Sequence, residues 1–545
     1  MKRTERWGIF EIALKGKDDG NPFLDYEIVG AFSGEHESVR VKGFYDGEGV
    51  YRVRFMPSFE GKYTYVIEGS AVDSPVTGTF EAVAPAANNH GPVRVVDGTL
   101  LAWVDGMPHY SVGTTCYAWV NQDMDLQEQT LDTLSKSPFN KIRFCIFPKF
   151  YEFNRREPIT YPFERGHGEG LDPALVAIQA NRTYWPLEQA PEMDYGFDYT
   201  RPNVAHFRRF DQRVRQLMEL GIEADIIVMH PYDRWGFDGM GLEKDKQYLD
   251  YLLRRLSAYP HIWWSLANEY ELTKRSEEEW FAIEAFVAAN DPYRHLLSCH
   301  NIFKIWDANR PLTTHASIQS KDFGMLEEWR KRYRTPVMLD ECAYEGNLEH
   351  FWGCITGRDM TRRFWKAICS GAYCTHGETF YADDDILWWS RGGQLKGESP
   401  ERIAFCRKII ESLPGYLETE PSWLCKLLEA RKLPEEARET ILAPVSDFEK
   451  RLICALWNSG EDAESFAHSE KAFAAHIGTD CYLRFYDTRP IARDTLRLPA
   501  DKTYTITLID TWNMTMEMVA TGVSGTYLAH LPGREDMALL AIAEA

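Results

Sequence analysis

Two short strings, Trp264-Ser265-Leu266-Ala267-Asn268-Glu269 and Pro336-Val337-Met338-Leu339-Asp340-Glu341, carry the strongest fold signal in the chain. Each is a bulky apolar run that stops at a carboxylate, a pattern typical of a parallel strand covered on both faces. In barrel enzymes the carboxyl ends of such strands form one rim, and the active site is built there. The strings therefore predict two buried strands with Glu269 and Glu341 at the same rim.

Six further apolar strings complete a set of eight predicted strands, at 110–114, 141–146, 224–229, 296–299, 312–316 and 372–376. An amphipathic helix is predicted before the third strand. Asn203 can cap this helix and Gly221 can end it, and its apolar stripe consists of Val204, Phe207, Phe210, Val214, Leu217 and Met218. Alternation of strand and helix indicates an α/β fold, and eight repeats predict a (β/α)8 TIM barrel over residues 92–415.

The two ends of the chain have a different pattern. Segments 39–44, 50–55 and 63–67 alternate polar and apolar residues between turns, which predicts an N-terminal β-sandwich over residues 1–85. Residues 81–92 lose the alternation and contain two prolines, as a linker does. Alternation returns after about residue 418, for example at 481–486 and 504–509, and predicts a C-terminal β-sandwich over 418–545.

Composition limits the partners of the chain. With 545 residues it exceeds one hydrophobic core, and its net charge of −21 argues against nucleic acid or an anionic membrane as a partner. No apolar stretch follows Met1 as in a signal peptide, and none reaches eighteen residues, so we expect a cytoplasmic protein. Eleven cysteines, several of them alone in apolar strings, are typical of reduced thiols.

Aromatic residues make up 13% of the chain, and their rings suit stacking on sugar faces as well as core packing. Two carboxylates at one rim suit glycoside hydrolysis. A retaining glycosidase uses one as the acid that protonates the leaving oxygen and the other as the nucleophile, roughly 5 to 5.5 Å apart. Glu269 and Glu341 are 341 − 269 = 72 residues apart, enough for three further strand–helix units, so they are predicted to end strands four and seven. The sequence thus points to a small carbohydrate as substrate.

Asn268-Glu269 on strand four together with a Glu on strand seven resembles the clan A glycoside hydrolases. The resemblance implies that Glu269 is the acid/base, that Glu341 is the nucleophile and that Asn268 binds the 2-hydroxyl of the sugar. The string 139–143 on strand two looks like the arginine-bearing strand of that clan. Arg143 would then hydrogen-bond the nucleophile and keep it ionised.

The string 392–403, Gly-Gly-Gln-Leu-Lys-Gly-Glu-Ser-Pro-Glu-Arg-Ile, is similar to one in the apiosidase-like barrel proteins. The N-terminal sandwich resembles the module that is often fused ahead of those barrels. Members of this family differ in substrate, so the resemblance implies the reaction more than the sugar.

Other candidate residues lie near predicted strand ends or in the long stretch 147–202, which we expect to shape the site. The histidines come from separate strands, so we favour sugar hydrogen-bonding or structural roles over a metal site and expect neither metal nor cofactor. Glu378 is the main rival carboxylate, and Asp340 should point to the opposite strand face from Glu341. The further substrate-binding candidates are His230, His300, His315, His376, Trp185, Trp235 and Trp388, with Asp233 and Trp389 beside them.

These observations favour a retaining exo-glycosidase that acts on oligosaccharides or glycosides. Two alternatives remain open: an endo-glycanase, which would need an open groove, and a non-catalytic carbohydrate-binding protein on a barrel. Two carboxylates at the expected strand ends speak against the second alternative, because binding alone needs neither an acid nor a nucleophile. A homo-oligomer is compatible with the sequence, which leaves the oligomeric state open.

Overall fold

Mainly antiparallel strands form the first part of the chain in a computed structural model that describes residues 2–166, 196–420, 423–443, 446–463 and 473–544. They pair as a five-stranded sheet, β1-β8-β7-β3-β4, and a three-stranded sheet, β2-β6-β5. Phe10, Phe32, Phe55 and Phe80 are buried in their common core. The strands β1 to β8 lie at Lys2–Glu5, Phe10–Lys15, Val29–Ser33, Ser38–Lys42, Phe44–Tyr45, Val50–Phe55, Gly61–Glu68 and Val76–Val83.

The next strands include those of the barrel. The short pairs β9–β10 and β13–β14 are antiparallel, and β20–β22 is parallel. In chain order, β9 to β22 lie at Val93–Val96, Leu100–Trp103, Val112–Thr115, Lys141–Cys145, Phe163–Arg165, Phe197–Pro202, Glu223–Ile227, Ile262–Ser265, Leu297–Ser298, Ala316–Gln319, Val337–Glu341, Glu345–Gly346, Tyr373–His376 and Glu378–Thr379.

Eight of these strands form one parallel sheet in the order β17-β16-β15-β12-β11-β21-β19-β18. Numbered along the chain, this order is five, four, three, two, one, eight, seven, six. Strands five and six, β17 and β18, are the two ends of this order. A parallel bridge between His300, just after β17, and Ser317, in β18, joins them. The sheet is therefore a closed eight-stranded barrel, with β16 as strand four and β19 as strand seven, as the sequence predicts.

Helices follow the barrel strands along the chain. The helix predicted before strand three is Val204–Glu219, capped by the Asn203 side chain, and the chain turns at Gly221 with φ of +69°. The helices α1 to α8 lie at Met124–Lys136, Val204–Glu219, Leu242–Leu256, Glu277–Asn290, Leu326–Tyr333, Gly357–Cys369, Trp388–Arg391 and Ser399–Glu411.

The chain divides into two compact units. The first comprises residues 1–319, 338–355 and 375–397, and it contains the N-terminal sheets and most of the barrel strands. The second comprises residues 320–337, 356–374 and 398–545. In it, β23-β24-β25-β30-β27-β28 form one sheet and β26-β29 a second, which share a core that includes Tyr504, Ile506 and Leu539. The strands β23 to β30 lie at Glu418–Thr419, Phe473–Ile477, Cys481–Phe485, Arg493–Arg497, Tyr504–Asp510, Thr515–Val523, Thr526–His530 and Met537–Ala543.

Two sequence predictions need correction. Strand six is Ala316–Gln319 and not 312–316, because residues 312–315 are still in the connection from strand five. The region after residue 418 is not strand throughout: Trp423–Ala430, Glu435–Leu442 and Asp447–Asn458 are helices α9 to α11. The last of these has a capping box formed by Ser446 and Glu449, a local helix signal that the alternation pattern does not detect. The domain boundaries 1–85, 92–415 and 418–545 remain predictions.

Candidate active site

Glu269 lies in the loop that follows strand four, four residues beyond Ser265, the last residue of that strand. A short 3-10 turn at Tyr270–Leu272 follows it. The backbone of Glu269 has a φ of +51° and a ψ of +57°, the left-handed region that non-glycine residues seldom adopt. The side chain is buried, with an exposed fraction of 5%. Such conformations cluster at functional sites, so the backbone of Glu269 itself marks this position.

Glu341 is the last residue of strand seven, and its exposed fraction is 8%. The Tyr117 hydroxyl, from the segment after strand one, donates a hydrogen bond to Glu341 Oε1. The Tyr344 hydroxyl group lies beside the same carboxylate, and burial together with the charge of Glu341 raises the pKa of Tyr344 well above its usual value. The carboxylate is thus held by groups from two different loops.

A chain of side chains connects the two glutamates. Tyr117 Oη lies 3.0 Å from Asn268 Oδ1, and Asn268 Nδ2 donates a 3.2 Å hydrogen bond to Glu269 Oε2. The Tyr232 hydroxyl, from the loop after strand three, donates to the same oxygen of Glu269. Because Tyr117 also bonds Glu341, only Tyr117 and Asn268 separate one carboxylate from the other.

The protonation of Glu269 differs from that of an ordinary glutamate. Burial and, next, the negative charge of Glu341 raise the pKa of Glu269 to about 7, although the positive charge of Lys149 and the hydrogen bond from Tyr232 oppose this rise. A carboxyl group with this pKa keeps its proton over part of the neutral range and can donate it. This is the arrangement that a general acid beside an anionic partner requires.

A buried lysine and a wall of rings surround the pair. Lys149 has an exposed fraction of 2%, and its Nζ lies over the rings of Tyr117 and Tyr232. The wall belongs to one apolar cluster, in which Trp389 packs against Tyr117 with 5.9 Å between ring centroids. The other aromatic members are Tyr151, Phe153, Tyr344 and, partly buried, Tyr232 and Trp352. Tyr151 and Phe153 come from the described start of the stretch 147–202, which we expected to shape the site.

The expected hydrogen bond from Arg143 to Glu341 is absent among the described residues. Arg143 Nη1 instead lies 3.2 Å from both Asp225 Oδ2 and Ser265 Oγ, inside the barrel. Asp340 also points into the barrel interior, where it accepts bonds from Lys141, Ser317 and Thr375. Burial alone would raise the pKa of Asp340, but Lys141 and Arg143 hold it well below its usual range. These residues form an ion cluster that fills the barrel below the glutamates.

Two of the four candidate histidines lie at the rim. His230 Nε2 bonds the Phe147 carbonyl at 3.2 Å, and its Nδ1 accepts from the Tyr232 backbone N–H. Burial lowers the pKa of His230 to about 3, so it is neutral and orients the loop that carries Tyr232. His300 follows strand five and is fully buried, and burial lowers its pKa well below the usual value. These observations do not assign either histidine to sugar binding, and that role stays a prediction.

The other two histidines are not at the rim with the glutamates. His315 precedes strand six, so it lies at the amino end of the barrel, where its ring contacts Trp263. His376 points out of the barrel wall, because Thr375 beside it bonds Asp340 inside. Its Nδ1 lies 3.1 Å from Thr114 Oγ1, and its ring stacks on Phe139. The structure therefore does not bring these two histidines next to the glutamates, and their role in substrate binding stays a prediction.

Glu378, the rival carboxylate, anchors a loop. Its oxygens accept hydrogen bonds from the backbone N–H groups of Lys396 and Gly397, at 2.5 and 2.8 Å. Burial raises the pKa of Glu378 to about 8. Among the described residues, Glu345, His376 and Glu378 form the one group whose potential metal-ligand atoms lie within 4.8 Å of one another. The two N–H bonds already engage the Glu378 carboxylate, so this group fits a structural role in holding the loop.

Two of the tryptophan candidates, Trp235 and Trp388, donate hydrogen bonds to residues other than the two rim glutamates. Trp235 is fully buried, and its Nε1 donates to Glu157 Oε2 at 3.0 Å. Trp388 is in the core, and its Nε1 donates to Thr114 Oγ1 at 2.8 Å. The next residue, Trp389, is the one that faces Tyr117, whereas Trp388 points away. Trp185 lies outside the described residues, and Asp233 caps the turn at Trp235 through its 2.8 Å bond from that backbone N–H.

Sequence reasoning missed Tyr117, Lys149, Tyr232 and Tyr344. Each follows a barrel strand within a few residues, so a search of every post-strand loop for polar side chains would have found them. Nothing in their local sequence separates them from surface residues.

Comparison with known families covers most of the chain. A model described as the apiosidase-like catalytic domain matches residues 100–423, and two models of domains of unknown function, DUF5060 and DUF5605, match residues 3–70 and 471–541. A comparison with curated proteins finds no significant match. Among the described residues, no helix is long and apolar enough to cross a membrane.

Two solved structures are similar to this chain. A candidate glycoside hydrolase from Bacteroides vulgatus ATCC 8482 is 30% identical, and the match covers 100% of both chains with a TM-score of 0.81. A glycoside hydrolase family 5 protein from the same strain is 13% identical over 83% of this chain and 94% of its own, with a TM-score of 0.55. The second shows a shared fold only. The chain therefore belongs to the apiosidase-like catalytic-domain family and is a glycoside hydrolase.

Proposed function

We propose that the chain is a retaining exo-glycosidase in which Glu269 is the acid/base and Glu341 is the nucleophile. In the first step Glu341 forms a bond to the anomeric carbon, the glycosidic bond breaks, and Glu269 gives its proton to the leaving oxygen. In the second step Glu269 takes a proton from water, and the hydroxide oxygen displaces Glu341 from the sugar. The same two residues return to their starting protonation states.

One observation carries the proposal: two buried glutamates at the rim are joined through Tyr117 and Asn268, and the pKa of Glu269 is raised to about 7. A protonated Glu269 suits the role of the acid, and the second carboxylate, Glu341, suits the role of the nucleophile. Asn268 lies between them, where a contact to the 2-hydroxyl of a bound sugar would be shared with both steps. Exo action is favoured by the low exposure of both glutamates, 5% and 8%, because an endo-acting groove has to leave them open along its length.

The substrate is a carbohydrate whose identity a screen can determine. We would test aryl pyranosides and aryl furanosides together, with apiosides among the furanosides because the family model is named for apiosidase-like proteins. Release of a single sugar from the non-reducing end of a labelled oligosaccharide supports exo action. Internal cleavage would establish the endo-glycanase alternative, and tight sugar binding with no turnover of any substrate would favour the binding protein.

The stereochemistry of the first product tests the mechanism. A retaining enzyme gives a first product with the anomeric configuration of the substrate, whereas an inverting enzyme places its carboxylates roughly 6.5 to 9.5 Å apart to admit water. Proton NMR in the first minutes of hydrolysis, before mutarotation, distinguishes the two. An inverted first product would remove Glu341 as nucleophile.

A cytoplasmic location is also part of the proposal. The described cysteines are free thiols, and eight of the ten are buried, which suits a reducing compartment. Fractionation of the producing cells with an antibody to the native chain would test it, and recovery from the culture medium would contradict it.

A further inference from the structure

The Lys149 ammonium group lies on the faces of three tyrosine rings. Its Nζ is 3.7 Å from the ring centroid of Tyr117, 4.0 Å from that of Tyr232 and 4.5 Å from that of Tyr151. The faces of aromatic rings attract a cation, and the attraction is stronger where water is excluded, as at a side chain with an exposed fraction of 2%. Three rings therefore fix the position of this charge.

Two of these rings connect the lysine to the glutamates. The Tyr117 ring that lies against Lys149 ends in the hydroxyl that bonds Glu341, and the Tyr232 ring ends in the hydroxyl that bonds Glu269. The ammonium is thus placed one phenol ring away from each carboxylate. Among the described residues, no carboxylate lies within ion-pair distance of Lys149 Nζ. Its charge is therefore not neutralised by a direct partner and acts on both glutamates together.

We propose that Lys149 is a positioning residue that supplies the positive charge shared by Glu269 and Glu341 and thereby sets the pH range of hydrolysis. The inference rests on the proposed roles of the two glutamates. Arg143 was expected to supply this charge, but its hydrogen bonds go to Asp225 and Ser265 inside the barrel. Lys149 takes that role from a loop that the strand pattern does not reveal.

The direction of the effect follows from the charges. A nearby cation favours the ionised form of a carboxyl group, and the charge of Lys149 lowers the pKa of Glu269, so loss of Lys149 should raise that pKa. Burial lowers the pKa of Lys149 itself, while the two glutamates oppose that shift and favour the ammonium form. The titratable and charged groups that face it are Tyr117, Arg143, Cys145, Tyr151, His230, Tyr232, Glu269, His300 and Glu341.

The test is the pH profile of kcat/KM for Lys149→Met and Lys149→Arg, measured on the substrate that the screen identifies. Glu269 has to be protonated to act as the acid, so the basic limb of the bell-shaped profile should move to higher pH in Lys149→Met, by about one unit. Lys149→Arg keeps the charge and should leave both limbs near their original positions. Lys136→Met, on an exposed helix surface, is the matched control and should change nothing.

A merely structural role would lower kcat at every pH without moving either limb, and this result in Lys149→Met would overturn the inference. If Lys149→Met does not fold, Lys149→Gln gives the same comparison with a polar side chain. The inference fails separately from the proposed function: azide rescue of Glu341→Gly tests the nucleophile whatever Lys149 does. If azide rescues Glu341→Gly but the limbs do not move in Lys149→Met, the glycosidase proposal stands and the role of Lys149 is refuted.

Discussion

At the scale of single residues, Glu269 and Glu341 are one amino acid in two settings. Glu269 is in a left-handed backbone conformation, and burial and the charge of Glu341 raise its pKa, whereas Glu341 ends a regular strand. The sequence predicts the pair, because each glutamate closes a local apolar run. It could not predict Lys149 or Tyr117, because their contacts with the glutamates cross more than 100 residues of chain and leave no local pattern.

Replacing Glu341 by Gly should abolish hydrolysis, and added azide or formate should restore turnover. A small anion fits the space of the missing nucleophile and attacks the anomeric carbon, so the product should have inverted configuration. Turnover of an activated aryl glycoside, with product analysis by NMR, measures both effects. Glu378→Gly is the comparison, because Glu378 is the other buried carboxylate that the sequence offered, and rescue in that variant alone would contradict the assignment.

The pH dependence of hydrolysis should report the titration of Glu269. Its pKa is raised to about 7, so the protonated, proton-donating fraction falls as the pH rises through 7, and activity should fall with it. Glu269→Ala should lose this basic limb and should keep more activity on aryl glycosides with good leaving groups, which need little protonation. The measurement is kcat/KM against pH for both proteins. A basic limb that persists in Glu269→Ala would mean that another group donates the proton.

At the scale of elements, the barrel strands could be predicted to within a few residues, because strands covered on both faces are continuous apolar runs. Strand six was misplaced, since the run 312–316 mixes a connection with the start of Ala316–Gln319. The helices at 423–458 were missed because the prediction extended the alternation of 481–509 back to residue 418. The loops after the strands, which supply Lys149 and three tyrosines, have no periodicity from which their geometry could be derived.

The loop after strand three should tune Glu269 through Tyr232. The Tyr232 hydroxyl bonds Glu269 and lowers the pKa of Glu269, so Tyr232→Phe should raise that pKa. The basic limb of the activity profile should then move to higher pH, by up to about one unit, with a lower kcat. Tyr26→Phe is a matched control, because it also removes a hydroxyl bonded to a carboxylate, that of Asp19, on the N-terminal sheet. An unmoved basic limb in Tyr232→Phe would argue against this contact.

At the scale of the first unit, the N-terminal sheets are joined to the barrel helices by a cluster of four buried charges. Arg54 donates to Asp211 at 2.9 Å, and Arg255 pairs with both Asp211 and Asp46 at 2.9 Å. Asp46 and Arg54 come from the N-terminal part, and Asp211 and Arg255 from helices α2 and α3. All four have exposed fractions of 7% or less, so solvent screens them little. This cluster could not be predicted from the sequence, because its members lie up to 209 residues apart.

Because this charge cluster links the two parts, we expect the N-terminal sheets and the barrel to unfold together. Asp211→Asn keeps the shape of the side chain but leaves two buried arginines facing a neutral group, so we expect it to lower the free energy of unfolding by about 3–5 kcal/mol. Glu68→Gln, which breaks the exposed pair with Arg40, should cost less than about 1 kcal/mol. Urea unfolding of the full chain, monitored by tryptophan fluorescence, gives both free energies. Calorimetry shows whether the N-terminal sheets and the barrel unfold in one transition. If the N-terminal sheets melted in Asp211→Asn while the barrel transition stayed in place, the charge cluster would be a local contact. The prediction that the two parts unfold together would then be wrong.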